Sequence, residues 1–243
     1  MTRSMPRNAR CRAPCATSRE RGRGRAAVAA LLAVLAGVAH AAASPIRIGL
    51  IAPLTGASAD FGNSMQQGAA LAVEQVNALG GVLGRPLQLV TKDDAGDPGT
   101  GRMASTHLLE RDGVVATIGF CNTGVALGSL DLFESQHRLL MIPCAQGTVL
   151  TRRVAPAAST IFRIAPPDAL NAEFLVAEMV DRRKLSRIAV LADTTGYGDG
   201  GVSDIGLHLK QRGLAPVFVG RFAADAPSLR TELEGGRGAG AQA

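Results

Sequence analysis

The chain has 243 residues, of which 47% are apolar, enough to core one large or two small domains, while 3% aromatic content without Trp argues against stacking on bases. Its formal charge of +6 belongs to one end: the first 25 residues carry eight Arg against one Glu, and the remainder holds 18 basic against 19 acidic residues. That distribution excludes a basic nucleic-acid surface spread over the fold.

The Arg-rich start, the apolar run 26–39 and the small residues 39–43 read as a secretory signal peptide over residues 1–43. The run is too short and too rich in Ala for a membrane span. No Cys follows it, so nothing suggests a lipid anchor. Cys11 and Cys15 leave with this leader, which removes a Cys-x3-Cys pair. Cys121 and Cys144 remain, after two successive predicted strands, as either a disulfide or two small buried thiols.

Residues 46–79 read as strand, small-residue loop and helix. Ile46, Ile48, Leu50 and Ile51 form a short apolar run stopped by Pro53, which suits a strand covered on both faces. Gly56, Ala57, Ser58, Ala59 and Gly62 carry little bulk, so a small polar ligand can approach the backbone there; Phe61 is the large exception. A helix is expected from Asn63 or Ser64, with Met65, Ala69, Ala72, Val73 and Val76 on one face and its positive end toward the loop.

A second strand is expected over 86–92 and a turn at 93–99. Asp93, Asp94 and Asp97 have the look of a calcium loop, but the later Glu of an EF-hand is lacking and Pro98 breaks the run, leaving a turn that caps the next helix. Helix 100–111, strand 114–119, a helix from Cys121–Gly124 to about residue 136 and strand 139–143 complete a βαβαβαβ order. Such an order predicts a parallel sheet with ligand loops beyond the carboxyl ends of its strands.

Three of those loops carry polar, unbulky residues: 55–63, 121–124 and 144–148. Asn122 and Thr123 at a helix start offer a carboxamide, a hydroxyl and free N–H groups to a carboxylate; simple N-capping would use the same residues. After an irregular stretch, 148–160, the run 161–164 and Pro166-Pro167-Asp168 mark a crossing, with Asp168 placed to cap the next helix. Helix 168–183, strand 187–192, a helix to residue 212, strand 216–221 and helix 227–234 begin a second sheet.

Gly196-Tyr197-Gly198-Asp199-Gly200-Gly201 fits G-x-G-x-x-G between a strand and a helix. It departs from a dinucleotide fingerprint because Asp193, Thr194 and Thr195 intervene, Asp199 would face a pyrophosphate, and the next strand ends without an acidic ribose ligand. Gly-x-Ser-x-Gly is absent. His107, His137 and His208 fall on predicted helices, where a solvated surface is expected, and no pair has metal-ligand spacing. No enzyme activity, cofactor or metal is expected.

Residues 48–56 (Ile-Gly-Leu-Ile-Ala-Pro-Leu-Thr-Gly), 80–85 (Gly-Gly-Val-Leu-Gly-Arg), 93–98 (Asp-Asp-Ala-Gly-Asp-Pro) and Gly196-Tyr197-Gly198 resemble, in order, the type 1 periplasmic binding proteins of the leucine/isoleucine/valine-binding family. The resemblance covers about residues 46–235. It implies an α/β fold of two lobes, with parallel sheets flanked by helices, closing on a ligand by a hinge. The lobes would be 44–164 and an incomplete second one from 165 to 243.

By the same resemblance Phe61 covers the ligand, Asn122 and Thr123 hold its carboxylate, Ala145 and Gln146 contact its amino group, and Tyr197 is the aromatic of the second lobe. Gln146 stands where Ser or Thr is expected and Asn122 where Ser is common. The family continues well beyond residue 243, and the acidic partner of the ligand ammonium is expected there. The implied function is the periplasmic substrate-binding component of an ABC transporter: a monomer that captures an amino acid or amide and delivers it to permease subunits, with no nucleic-acid partner. A ligand-sensing domain of the same fold that regulates a partner, or a non-functional truncated fragment, stays open as the alternative.

Overall fold

The computed structural model describes residues 44–152 and 159–243; the signal-peptide reading and the middle of the irregular stretch 148–160 lie outside them. Residues Ser44–Ala243 form one compact unit. It contains a five-stranded sheet of β1 (Ile46–Ala52), β2 (Leu87–Asp93), β3 (Ala116–Ile118), β4 (Leu139–Ile142) and β5 (Ile161–Arg163), all parallel, in the order β2-β1-β3-β4-β5. A second parallel pair joins β6 (Ala189–Asp193) to β7 (Phe218–Phe222). The α/β class and the parallel sheet flanked by helices are as the sequence indicates.

The helices are α1 (Ala59–Ala78), α2 (Pro98–Glu110), α3 (Thr123–Leu127), α4 (Leu130–Ser135), α5 (Asp168–Val176), α6 (Gly196–Lys210) and α7 (Arg230–Gly238). A π-helical turn, Ala177–Arg182, continues α5, and a 3-10 turn, Thr148–Thr151, follows β4. Asp97 caps α2 by accepting from the Thr100 N–H at 2.7 Å, with Pro98 in the first turn, where its missing N–H costs nothing. Asn77 ties the end of α1 to β2: its amide donates to the Leu87 carbonyl (2.9 Å) and accepts from the Leu87 N–H (2.6 Å).

Three expectations change. Helix α1 starts at Ala59 with Ser58 at its N-cap, four residues before Asn63, so Phe61 and Gly62 belong to its first turn. Gly62 is small because the helix packs onto the Pro53 carbonyl, where a Cβ would collide; it serves packing, not ligand access. The single helix expected from residue 121 to 136 is two short ones, α3 and α4, parted at Gly128 and Ser129. His208 is buried, with Nδ1 3.2 Å from Gln211 Oε1, because α6 turns that face inward; His107 and His137 are exposed.

The main core lies on the first sheet, where Ile51, Leu108, Leu130, Phe133, Leu140 and Ile142 are fully covered. Phe120 joins them, edge-on to Phe133 at 6.4 Å between ring centroids. A smaller cluster of Val176, Ile188 and Leu209 joins α5, β6 and α6. Burial of this kind is the main favourable term, worth ~2 kcal/mol for each large side chain.

Candidate functional site

The order β2-β1-β3 means that the chain leaves β1 toward one side and later returns to its other side. The reversal opens a crevice between the ends of β1 and β3, where ligands of open parallel sheets sit. Two side chains meet across it: the Asn122 amide donates to Ser58 Oγ at 3.2 Å, over 64 residues of sequence. Asn122 occupies the N-cap position of α3 but makes no side-chain cap bond, so the capping explanation of this residue fails. Its carboxamide oxygen is buried without a protein partner.

The remaining loops join in series. Thr123 is buried and its hydroxyl accepts from the Gly147 N–H at 3.2 Å, linking the end of β3 to the end of β4. Ala145 is buried, and its N–H donates to the Phe120 carbonyl at 3.1 Å. Cys121 and Cys144 are bonded, with Cα atoms 4.7 Å apart, which decides between the two cysteine readings. The Gln146 carbonyl accepts from the Asp168 N–H (3.0 Å) and from Arg163 Nη1 (2.7 Å), while its side chain reaches Asn171 at 3.5 Å. Gly124 and Gly196 pack closely, a Cβ on Gly196 falling 3.2 Å from the Gly124 Cα, which brings the starts of α3 and α6 together.

Tyr197 stands in the first turn of α6, half exposed, beside a cavity of about 510 Å³ between α5, β6 and α6. The cavity wall is largely apolar, through Leu175, Val190 and Ile205, with a polar end made by Asp168, Asn171 and Tyr197. Of the six residues singled out from the sequence, Tyr197 lines this cavity. Asn122, Thr123, Ala145 and Gln146 lie along the adjoining strand ends. Phe61 projects from α1 at 64% exposure, with no aromatic partner among the described residues.

Gly196 and Gly198, of the glycines in 196–201, have local packing partners. Gly198 packs on the Asp193 carbonyl, where a Cβ would collide, and Asp193 Oδ1 takes the Thr195 N–H (2.8 Å) and the Gly198 N–H (3.3 Å). Thr195 Oγ1 caps the helix by accepting from Tyr197 N–H at 3.2 Å, and Asp199 pairs with Arg221 at 2.9 Å. The Thr195, Tyr197, Gly198 and Asp199 N–H groups are therefore engaged by the chain itself rather than free for a pyrophosphate.

A family model described as "Periplasmic binding protein" matches residues 45–242. The chain belongs to that family. Curated relatives include "Leu/Ile/Val-binding protein homolog 3" of Brucella melitensis, 37% identical over 68% of this chain and 44% of its own length. Another is the "Leucine-, isoleucine-, valine-, threonine-, and alanine-binding protein" of Pseudomonas aeruginosa, 32% identical over 76% of this chain and 48% of its own. The chain spans about half the length of the curated relatives it matches. In fold it is similar to the leucine binding protein LivK of Thermotoga maritima, with a TM-score of 0.70 and 18% identity over 81% of this chain and 54% of that one.

In this periplasmic binding protein the carboxylate that the sequence reading passed over is Asp168. It is 9% exposed and does not cap α5, because Pro167 holds the N-cap position. Burial pushes its carboxyl upward and nearby Asp204 adds to that, while Asn171 and the Arg163 guanidinium oppose it. Burial, then Asp168 and Asp193, raise the Tyr197 phenol, which places Tyr197 within the electrostatic reach of Asp168. The sequence signal for Asp168 was a lone acid after two prolines at a strand-to-helix junction, and capping accounted for it too easily.

Proposed function

We propose that this chain forms the ligand-capturing part of a periplasmic substrate-binding protein of an ABC transporter, taking a small zwitterionic amino acid between segments 44–164 and 165–243. The observation that carries the reading is the Ser58–Asn122 contact at the β1/β3 switch point, in line with the buried Asp168 and half-exposed Tyr197. In this reading Asn122, Thr123 and the loop N–H groups hold the carboxylate. Ala145 and Gln146 flank the amino group, Asp168 pairs with it in place of the acid expected beyond residue 243, and Phe61 and Tyr197 cover the aliphatic part. In this reading the ligand is captured and released unchanged. Residues 1–43 would direct export to the periplasm, and permease subunits would receive the ligand from a monomer.

The relatives' names supply the probes: leucine, isoleucine, valine, threonine and alanine. Thermal unfolding of the chain should move upward with one of these, since ligand at about one hundred times Kd adds ~2.7 kcal/mol to stability. Asp168→Asn should weaken that amino acid roughly 10- to 100-fold, the cost of a lost charged hydrogen bond. Benzoate, a carboxylate without an ammonium, should gain nothing from Asp168. No shift with any of the five amino acids at millimolar concentration removes the reading for this chain.

A further inference from the structure

The Cys121–Cys144 bond stands at the junction of two loops that matter to one another. Each cysteine directly precedes a pair of ligand-contact candidates, Asn122 and Thr123 after one, Ala145 and Gln146 after the other. Past the strand ladder the loops are also joined by Ala145 N–H to the Phe120 carbonyl (3.1 Å) and Gly147 N–H to Thr123 Oγ1 (3.2 Å). Both cysteines are partly exposed, while Phe120, Leu140 and Ile142 below them are fully covered.

We propose that this disulfide is a positioning element of the ligand cleft, and that its reduction by a thiol lowers ligand affinity while the five-stranded sheet stays folded. The proposal rests on the reading above that these loops hold the ligand. A thiolate attacks one sulfur and the S–S bond breaks; the released sulfur takes a proton. A second thiolate then resolves the mixed disulfide, leaving two cysteine thiols and an oxidised dithiol. The buried side chains keep the sheet, and the two hydrogen bonds keep the loops near their register. What the loops gain is backbone freedom, which ligand binding must then remove.

The test compares the oxidised chain, the chain reduced with dithiothreitol, and the C121S/C144S variant. Leucine binding is followed by calorimetry and amide exchange is followed residue by residue, with thiol titration reporting that two thiols appear on reduction. The expected result is leucine binding weaker by about tenfold in both altered forms, the cost of re-ordering a loop. Exchange at Ala145 and Gly147 should accelerate by a larger factor than at Leu50 and Ile51, which open only with the whole sheet. Equal leucine affinity in all three forms overturns the proposal, as does an acceleration at the two loop amides no greater than that in β1. If leucine binds no form, the functional reading for that ligand fails, and the exchange pattern alone then supports or overturns the loop-positioning role.

Discussion

The two sheets are built from the same strand–helix unit, yet they are covered very differently. β1 has a hydrogen-bonded neighbour on each side and side chains such as Leu50 and Ile51 at zero exposure. β6 has β7 on one side; on the other, the Ala189 N–H donates to the Ala243 carbonyl and the Gln242 N–H to the Arg187 carbonyl, while Leu191 further along lines the cavity. Parallel strands are stable when both faces and both edges are covered, and the contrast shows how much of that cover each sheet owns. The first sheet is therefore the platform that fixes the β1/β3 crevice, and the second carries Tyr197 beside the cavity between α5, β6 and α6.

The largest test of this contrast is a large-to-small substitution on each side. Phe120→Ala empties a fully covered site next to Phe133 and should cost about 3–5 kcal/mol. Leu209→Ala, equally covered but set among half-buried Met179, Val180 and Ile205, should fall near the low end of the Leu→Ala range, about 2–3 kcal/mol, because its surroundings can collapse. Urea midpoints measure both. A greater loss at Leu209 would reverse the ranking of the two cores.

Next in size is the staple across the first sheet. The bond between Cys121 and Cys144 closes a loop over a sequence separation of 23, and removing it should cost about 3 kcal/mol by the chain-entropy account. Urea denaturation of the C121S/C144S variant reads this, and a loss below ~1 kcal/mol would mean that the buried apolar contacts alone set the loop.

Asp94 sharpens the comparison through pH. It is wholly buried; its Oδ1 accepts from the Gly96 N–H at 2.8 Å and its Oδ2 has no protein partner. Burial raises its carboxyl to about 6, partly offset by the Gly96 N–H and reinforced by Asp93. A raised acid favours the fold below its unfolded value near 3.8, and that contribution is lost as pH rises from there through about 6. Asp94→Asn should therefore gain on the parent between pH 4 and pH 7, by up to about 3 kcal/mol at 1.36 kcal/mol per pKa unit. A constant difference between the two proteins across that range would show that Asp94 does not titrate there. Its neighbour Asp93 behaves oppositely: burial pushes upward, but the Thr55 hydroxyl and the Ala95, Leu54 and Thr55 N–H groups outweigh it and hold the carboxyl low.

The strands were legible because short apolar runs with β-branched residues stop at Pro, Gly or Asp, and the order of strands and helices fixed the parallel class. Less of the site was legible, for reasons that can be named. Ser58 read as one small residue among several in a ligand loop, since nothing local shows that Asn122 will lie across a crevice from it. Asn122 and Asp168 both sit where caps are common, and only the tertiary contacts show that neither side chain caps its helix. Gly62 and Gly198 signalled close approach correctly but not to what: the partner is the chain's own Pro53 or Asp193 carbonyl. The burial of His208 depends on which face of α6 turns inward, and the polar residues around it masked that choice.

The smallest predicted effect decides whether the two sheets open together. Thr195→Ala removes the hydroxyl that accepts from the Tyr197 N–H and should cost ~1 kcal/mol. If β6, β7 and α6 open as a local unit, amides such as Val190 should exchange about fivefold faster while Leu50 and Thr117 keep their rates. If the buried bond from the Thr148 hydroxyl to Asp204 (2.6 Å) and the Ala169 N–H to that hydroxyl (2.9 Å) couple the sheets into one cooperative body, Val190, Leu50 and Thr117 should accelerate together. The unequal cores favour local opening, and the capture proposed above requires it: the element that carries Tyr197 would have to yield to admit a ligand while the β1/β3 crevice stays fixed.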